Sequence, residues 1–442
     1  MESLPTVLLR PGEADRVLAG HPWIYEGSIL RIVSPDLRKS PPGHAIEDGE
    51  IVQVKDHRQR LLGVGFFNSK SKIRVRLLAR ERVQIDREFF RERITTARAL
   101  REHHLPGATS FRVVNSESDL LSGLIVDKYE DVLVIQASSL GMDQRKAEVV
   151  DVLQELFRPK AILERSDVVS RKFEGLPETP EPKPQTPGEI PNIKSPLSTV
   201  LSGSLDAYGG SVVPVRLNGL VFETDLGSGH KTGMYLDQQV NYKLVAQLVR
   251  GLAGAPPVVA QVLDCFSFVG GFALHTAQAG AAHVHAIDQS EQAIAQAGRN
   301  ATLNGLSERC SFEGANVFDW LKAQTVTRPH EKIIPRFDLI VLDPPSFTRN
   351  RATVPDALRG YKEIHLRALK LLKPGGTLAT FCCSHHVDAL LFQEVILSAA
   401  YDARRVLRRT AIYTQSPDHP VVPSIPETEY LKGFAFEVLQ QF

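Results

Sequence analysis

Hydrophobic and polar positions along the chain fall into three successive patterns. Up to about residue 82, short apolar runs alternate with Gly and Pro: Thr6-Val7-Leu8-Leu9, Ile51-Val52-Gln53-Val54 and Ile73-Arg74-Val75-Arg76-Leu77. Runs of that length separated by turn residues predict the strands of a small β-barrel. From about 83 to 205 the periods mix. Phe90, Ile94, Ala97 and Arg101 recur every three or four residues and predict a helix. Strands are predicted at Phe111–Val114, Leu124–Val126, Val132–Gln136 and Ala161–Glu164, with a helix near Gln144–Leu156. From Pro177 to Pro196 the chain is dense in Pro, Thr and Glu and lacks apolar residues to pack, which predicts an extended or disordered excursion.

From about 206 to 442 strands and helices alternate. Val258–Asp264 predicts a buried strand, followed by a helix of about ten residues and a strand at His283–Asp288. Ser290 caps a helix that runs to Asn304-Gly305. Strands follow at Cys310–Phe312, Phe337–Asp343 and Thr377–Cys383, and the helix Tyr361–Leu372 stops at Lys373-Pro374-Gly375-Gly376. This alternation predicts a Rossmann-like α/β domain, a parallel sheet with helices on both faces. Tyr430–Leu439 is expected to add an antiparallel strand after the irregular 414–428 stretch. The expected organisation is a β-barrel at 1–82, a small α+β domain at 83–205 and the α/β domain at 206–442.

Composition narrows the class. No apolar run approaches the ~20 residues of a transmembrane helix, and the N-terminus lacks the basic and apolar regions of a signal peptide. Four cysteines, at 265, 310, 382 and 383, form neither a paired framework nor a zinc spacing, which fits a reducing cytoplasm. No metal is expected. Net charge is +1, yet between Lys55 and Arg101 fourteen Lys/Arg stand against five Asp/Glu. That local excess suits a phosphate-rich partner such as RNA, or else a solvated charged surface.

Candidate chemistry lies at the carboxyl ends of successive strands, where doubly wound folds bind ligands. The first turn reads Asp264-Cys265-Phe266-Ser267-Phe268-Val269-Gly270-Gly271. Its adjacent glycines and flanking aromatics differ from the Gly-x-Gly-x-x-Gly of dehydrogenases and suit a nucleoside and amino acid better than a pyrophosphate. Asp288 closes the second strand, where a carboxylate can accept from both ribose hydroxyls. Asp343-Pro344-Pro345 ends the next apolar strand in a stiff turn that holds a carboxylate at the sheet edge.

This set resembles the class I S-adenosylmethionine-dependent methyltransferases. A longer series of motifs resembles one bacterial family, the 23S rRNA (cytosine-5) methyltransferases with an N-terminal PUA domain. It comprises His21-Pro22-Trp23-Ile24-Tyr25, Gly63–Asn68, Val114-Asn115, Gly123–Asp127, Glu164–Asp167, Gly229–Gln239, Cys265-Phe266-Ser267, Gly360-Tyr361-Lys362, Phe381–Ser384, Asp418-His419-Pro420 and Leu431–Phe434. The resemblance implies a PUA-like RNA-binding barrel, a central α+β domain and a C-terminal methyltransferase domain. It implies S-adenosylmethionine as cofactor, with Asp264, Phe266, Gly270, Gly271, Asp288, Asn316, Asp343, Tyr235 and Gln238 around it, and RNA, most directly 23S rRNA, as partner. Asn316 stands where the family has an acid near the adenine, Ser346 where a basic residue is common, and the Pro-rich stretch is longer than usual.

Carbon 5 of cytosine is a weak nucleophile, and a thiolate added to carbon 6 activates it. Cys382 and Cys383 end the strand after the Asp343 strand, and alternation turns only one of them toward the cleft. The family pattern selects Cys383 as nucleophile, with Asp343 polarising the base. His385 or His386 could assist, or could simply be solvated. Two other readings stay open: methylation of an exocyclic nitrogen, which needs no cysteine, and a catalytically inactive RNA-binding protein.

Overall fold

The computed structural model describes residues 4–33, 46–165, 170–177, 198–227, 233–252, 260–326, 332–348 and 350–439. Almost all of the Pro-rich stretch, Ser166-Asp167, Gly229–Thr232 and Val258-Val259 lie outside them. The chain forms two compact units. One comprises Met1–Val215, Thr224–Leu236 and Pro417–Thr428; the other comprises Arg216–Glu223, Asp237–Ser416 and Glu429–Phe442.

The first unit holds two sheets. Strands Trp23–Tyr25, Ile73–Ala79, Leu61–Phe67, Ile51–Lys55, Thr6–Leu9 and Ile29–Val33 lie in that order in a six-stranded sheet. Their alternate residues Val7, Leu9, Val52, Val54, Val75 and Leu77 are buried together. The second sheet orders Ser198–Gly203, Ala161–Arg165, Val132–Ala137, Leu124–Tyr129 and Ser110–Asn115. All six residues of Val132–Ala137, its central strand, are buried. Helix Arg87–His104 lays Phe90, Ile94 and Ala97 in the core beside that sheet, as their spacing predicts. The helix expected near Gln144–Leu156 is instead two, Leu140–Gln144 and Lys146–Phe157. Arg145 between them has φ −101° and ψ 10°, its guanidinium bonds the Gly49 and Gly141 carbonyls, and it lies 4.5 Å from the centre of the Phe66 ring.

The second unit is built on a seven-stranded sheet. Its strands are labelled along the chain β1 (Gln261–Cys265), β2 (His283–Asp288), β3 (Cys310–Gly314), β4 (Phe337–Leu342), β5 (Leu372–Cys382), β6 (Leu407–Thr414) and β7 (Lys432–Val438). Their order is β3-β2-β1-β4-β5-β7-β6. The first five run parallel, and β7 is antiparallel to both β5 and β6. Chain order reverses between β1 and β4, which puts the ligand crevice of such a sheet beyond their carboxyl ends. The helices are α1 (Gln239–Leu252), α2 (Gly271–Gln278), α3 (Glu291–Leu303), α4 (Val317–Thr325), α5 (Val354–Leu371) and α6 (Ala389–Asp402). Ser290 accepts from the Ala293 amide at the start of α3, the cap that its position predicts. Helix α5 begins seven residues before Tyr361, with Pro355 in its first turn, where no intrahelical N–H is required. The expected stop holds at Leu371, but Lys373–Gly376 then bulge within β5: Phe337 pairs with Leu372, and Leu339 already pairs with Thr377.

Two histidines tie α2 and α5 into the core. The Nδ1 of His275 donates to the Gly271 carbonyl and its Nε2 accepts from the Asn218 amide, at 2.6 and 3.1 Å. The Nδ1 of His365 donates to the Tyr361 carbonyl and its Nε2 accepts from the Thr380 hydroxyl, at 2.6 and 2.8 Å. Burial favours the neutral ring at both sites, pushing each pKa down to about 4. In the unfolded chain each ring titrates near ~6.5. Stability from neutral His275 and His365 is therefore fully present above that value and is lost as pH falls toward 4. Urea unfolding at pH 5 is expected to show a loss of about 2 kcal/mol per histidine relative to pH 7.5. His365→Asn should remove one such share of the pH dependence; a dependence unchanged by it would show that His365 is protonated in the fold.

Candidate active site

The carboxyl ends of β1, β2, β4 and β5 bring the candidate residues onto one edge. Asp264 is fully buried on β1 and accepts from the Ala273 amide of α2 at 2.9 Å. Its other carboxylate oxygen, Oδ1, and the buried hydroxyl of Ser267 have no hydrogen-bond partner among the described residues. Burial, and after it the negative charge of Asp343, raises the Asp264 carboxyl well above the usual carboxylate range; Asp288 adds to this, while the Ala273 amide opposes it. A buried carboxylate with one unfilled oxygen suits a cationic donor such as an α-ammonium group, which would offset both effects.

The loop after β1 is strained. Phe266 and Phe268 have φ of +65° and +49°, left-handed values that cost an L-residue on the order of 1–2 kcal/mol each. Phe266 packs against the core beside Phe347, their ring centres 6.4 Å apart. Gly270, at φ +88°, caps α2, and a Cβ at Gly271 would lie 2.6 Å from the Tyr242 ring, so the two glycines serve different needs. Asp288 holds the loop from the next strand end. Its two oxygens accept from the amides of Phe268 and Ser290, at 3.0 and 2.9 Å. Asn316 begins α4, and its side-chain oxygen accepts from the Phe318 amide at 2.9 Å.

Asp343 follows β4 directly. Its Oδ2 accepts from the buried Gln238 amide at 3.0 Å, and the Gln238 oxygen accepts from Asn241 at 2.7 Å. Tyr235 belongs to the other compact unit. Strand β5 ends at Cys382, so Cys383, expected as its last residue, lies one residue beyond it. The two cysteines diverge as alternation predicts. Cys382 is fully buried, its sulfur 3.4 Å from the Tyr361 hydroxyl, while Cys383 is half-buried with its sulfur 3.9 Å from the Pro344 carbonyl. Cys265 and Cys310 are buried, and burial pushes the Cys310 thiol up to about 12. His385 and His386 are exposed, with the His385 ring 5.9 Å from Tyr430.

Sequence motifs contained further site residues without assigning them roles. The Ser384 hydroxyl lies 2.9 Å from both Ser346 and Tyr361, which ties the turn after β4 to the end of β5. Lys432 on β7 pairs in register with Cys382, and its ammonium donates to the Ser384 carbonyl. Such contacts depend on register across the sheet, which side-chain periodicity does not carry.

The family description of PUA-like domains matches residues 7–80, and that of S-adenosylmethionine-dependent methyltransferases matches residues 210–406. Over 436 residues the chain is 38% identical to ribosomal RNA large subunit methyltransferase I of Shewanella amazonensis, covering 98% of this chain and 99% of that one. The protein of the same name from Vibrio vulnificus is 36% identical over 439 residues, again covering 98% and 99%. This chain belongs to that family. This member of the ribosomal RNA large subunit methyltransferase I family pairs a PUA-like domain with an S-adenosylmethionine-dependent methyltransferase domain. Among solved structures, SMU.776 complexed with SAH shares the fold, with a TM-score of 0.74 at 18% identity, covering 98% of this chain and 100% of that one.

Among the described residues, seven of the fourteen cations between Lys55 and Arg101 (Arg60, Arg74, Arg76, Arg87, Arg91, Arg98 and Arg101) are in ion pairs with acids. Arg76 is 13% exposed between Glu117 and Glu174, and Arg101 is fully buried. Five of the seven pair with acids outside the stretch and offset about half of the excess, while Arg58, Lys70, Lys72 and Arg80 are exposed cations without a carboxylate partner among the described residues.

Proposed function

We propose that this methyltransferase transfers a methyl group to carbon 5 of a cytosine in large-subunit ribosomal RNA through a covalent adduct at Cys383. The observation that carries this reading is the half-buried Cys383 thiol beside the Asp343-Pro344 turn, while the other three cysteines are buried. The name shared by the relatives supports the choice of RNA. No helix among the described residues is long and apolar enough to cross a membrane, and a ribosomal RNA substrate favours work in the cytoplasm.

S-adenosylmethionine supplies an electrophilic methyl group on a sulfonium. The unfilled polar atoms of Asp264 and Ser267 fit its amino-acid end, and Gly270-Gly271 allow the backbone to approach it. Asp288 would accept from the ribose hydroxyls, Phe266 and Asn316 would flank the adenine, and Gln238 would border the site. The target cytosine must leave any helix to meet both reagents. Arg58, Lys70 and Lys72 of the PUA-like domain hold neighbouring phosphates.

The Cys383 thiolate would add to carbon 6, and the ring electrons shift toward carbon 5, which takes the methyl group as its bond to the sulfonium sulfur breaks and a neutral thioether leaves. Asp343, oriented by Gln238, would accept from the exocyclic amine and, on taking up a proton as the thiolate adds, donate to the ring nitrogen, which draws electron density from carbon 6. A base removes the carbon 5 proton, the double bond reforms, and the thiolate leaves. Nucleoside analysis of ribosomal RNA from cells lacking this protein should show loss of one 5-methylcytidine, restored by the wild-type chain. Loss of a methyl from an exocyclic nitrogen instead would replace this reading. Asp288→Ala is expected to weaken S-adenosylmethionine binding by roughly 1–3 kcal/mol, the scale for hydrogen bonds to a charged group. Calorimetric titration checks it, and unchanged affinity would move the ribose elsewhere.

A further inference from the structure

We propose that Lys432 is the cation that keeps the Cys383 thiol ionised, a positioning residue that acts through its charge. It sits on β7, on the side of β5 opposite β4, in register with Cys382. Its ammonium is half-buried and donates to the Ser384 carbonyl at 2.6 Å and the Tyr430 carbonyl at 3.0 Å. Among the described residues no carboxylate lies within ion-pair distance of it. Carbonyls fix an ammonium in place without neutralising it, so its field reaches the adjacent thiols. The coupling is reciprocal. Burial lowers the pKa of Lys432, while Cys382, Cys383, Glu429 and Asp388 act to raise it. A cation beside a thiol is the usual means of making a reactive cysteine.

Three groups among the described residues bear on Cys383. Asp343 follows neighbouring β4 and would oppose ionisation; Tyr361 reaches in from α5, and Lys432 from β7. Exposed Asp388 and Glu429 act on Lys432 rather than pairing with it. A lysine in the Leu431–Phe434 motif thereby gains a role that its sequence position alone does not suggest.

This inference rests on reading Cys383 as the nucleophile, but its test follows the thiol and not methyl transfer. Iodoacetamide alkylation of Cys383 in the full chain would be measured against pH by peptide mass spectrometry. The wild-type rate should inflect below the ordinary thiol value of ~8.5. Lys432→Gln, which can still donate to both carbonyls, should shift the inflection upward by about one unit, slowing alkylation about tenfold near pH 7. Lys432→Arg should restore the wild-type profile. A wild-type inflection at or above the ordinary value, or superimposable wild-type and Gln profiles, would overturn the proposal. The wild-type measurement decides alone if the Gln variant does not fold. A failed titration leaves the cytosine-5 reading standing, since that reading is judged by its covalent adduct.

Discussion

Cys383→Ala is expected to retain S-adenosylmethionine binding and to lower methyl transfer by about 10⁴-fold or more, the scale for loss of a covalent nucleophile. Cys382→Ala should keep turnover and lose about 1 kcal/mol of stability, because it removes a small side chain from a packed core. The two residues are adjacent, so general damage to the end of β5 would affect both variants alike. What separates them is direction: one sulfur meets the Tyr361 hydroxyl in the core, the other the Pro344 carbonyl at the sheet edge. Single-turnover kinetics on ribosomal RNA would measure the contrast. Equal activity of both variants would remove the covalent mechanism.

The largest expected effect on stability comes from Arg101 in the first unit. Its guanidinium is fully buried, and all five N–H groups are used. They donate to both oxygens of Asp119 and to the carbonyls of Arg112, Ala97 and Asp418, at 2.5 to 3.3 Å. Arg101→Ala leaves Asp119 as a buried carboxylate without its counter-charge and leaves three carbonyls short of a donor. The expected loss is about 3–5 kcal/mol. Replacing Arg101 and Asp119 together by apolar residues should cost less than the single change, because no charge is then stranded. Urea unfolding of the three variants tests this, and a single variant within 1 kcal/mol of wild type would mean that water reaches the pair.

Arg101 also shows what sequence could and could not give. Its helical spacing with Phe90, Ile94 and Ala97 correctly predicts an inward face. Counted as charge, the same residue contributed to an apparent RNA-binding excess, because composition records a cation but not the distant acid that pairs with it. Local rules were legible: the Ser290 cap, the strands ending at Asp288 and before Asp343, and the divergence of Cys382 from Cys383. Long-range pairing was not. Gln238 lies 105 residues from Asp343, and Lys432 lies 48 residues from Ser384; each meets its partner only once strand order and register are set. The strain at Phe266 and Phe268 was equally hidden, since bulky aromatics normally argue against left-handed backbone.

The central claim is that Cys383 adds to carbon 6 while carbon 5 is methylated. Its most direct test uses target RNA with 5-fluorocytosine at the modified position, incubated with the full chain and S-adenosylmethionine. Fluorine at carbon 5 blocks the final elimination, so the adduct should persist through denaturing electrophoresis. Peptide mapping should then find the RNA on Cys383. Methyl transfer to this RNA without a covalent species, or an adduct mapping to Cys382, would contradict the account.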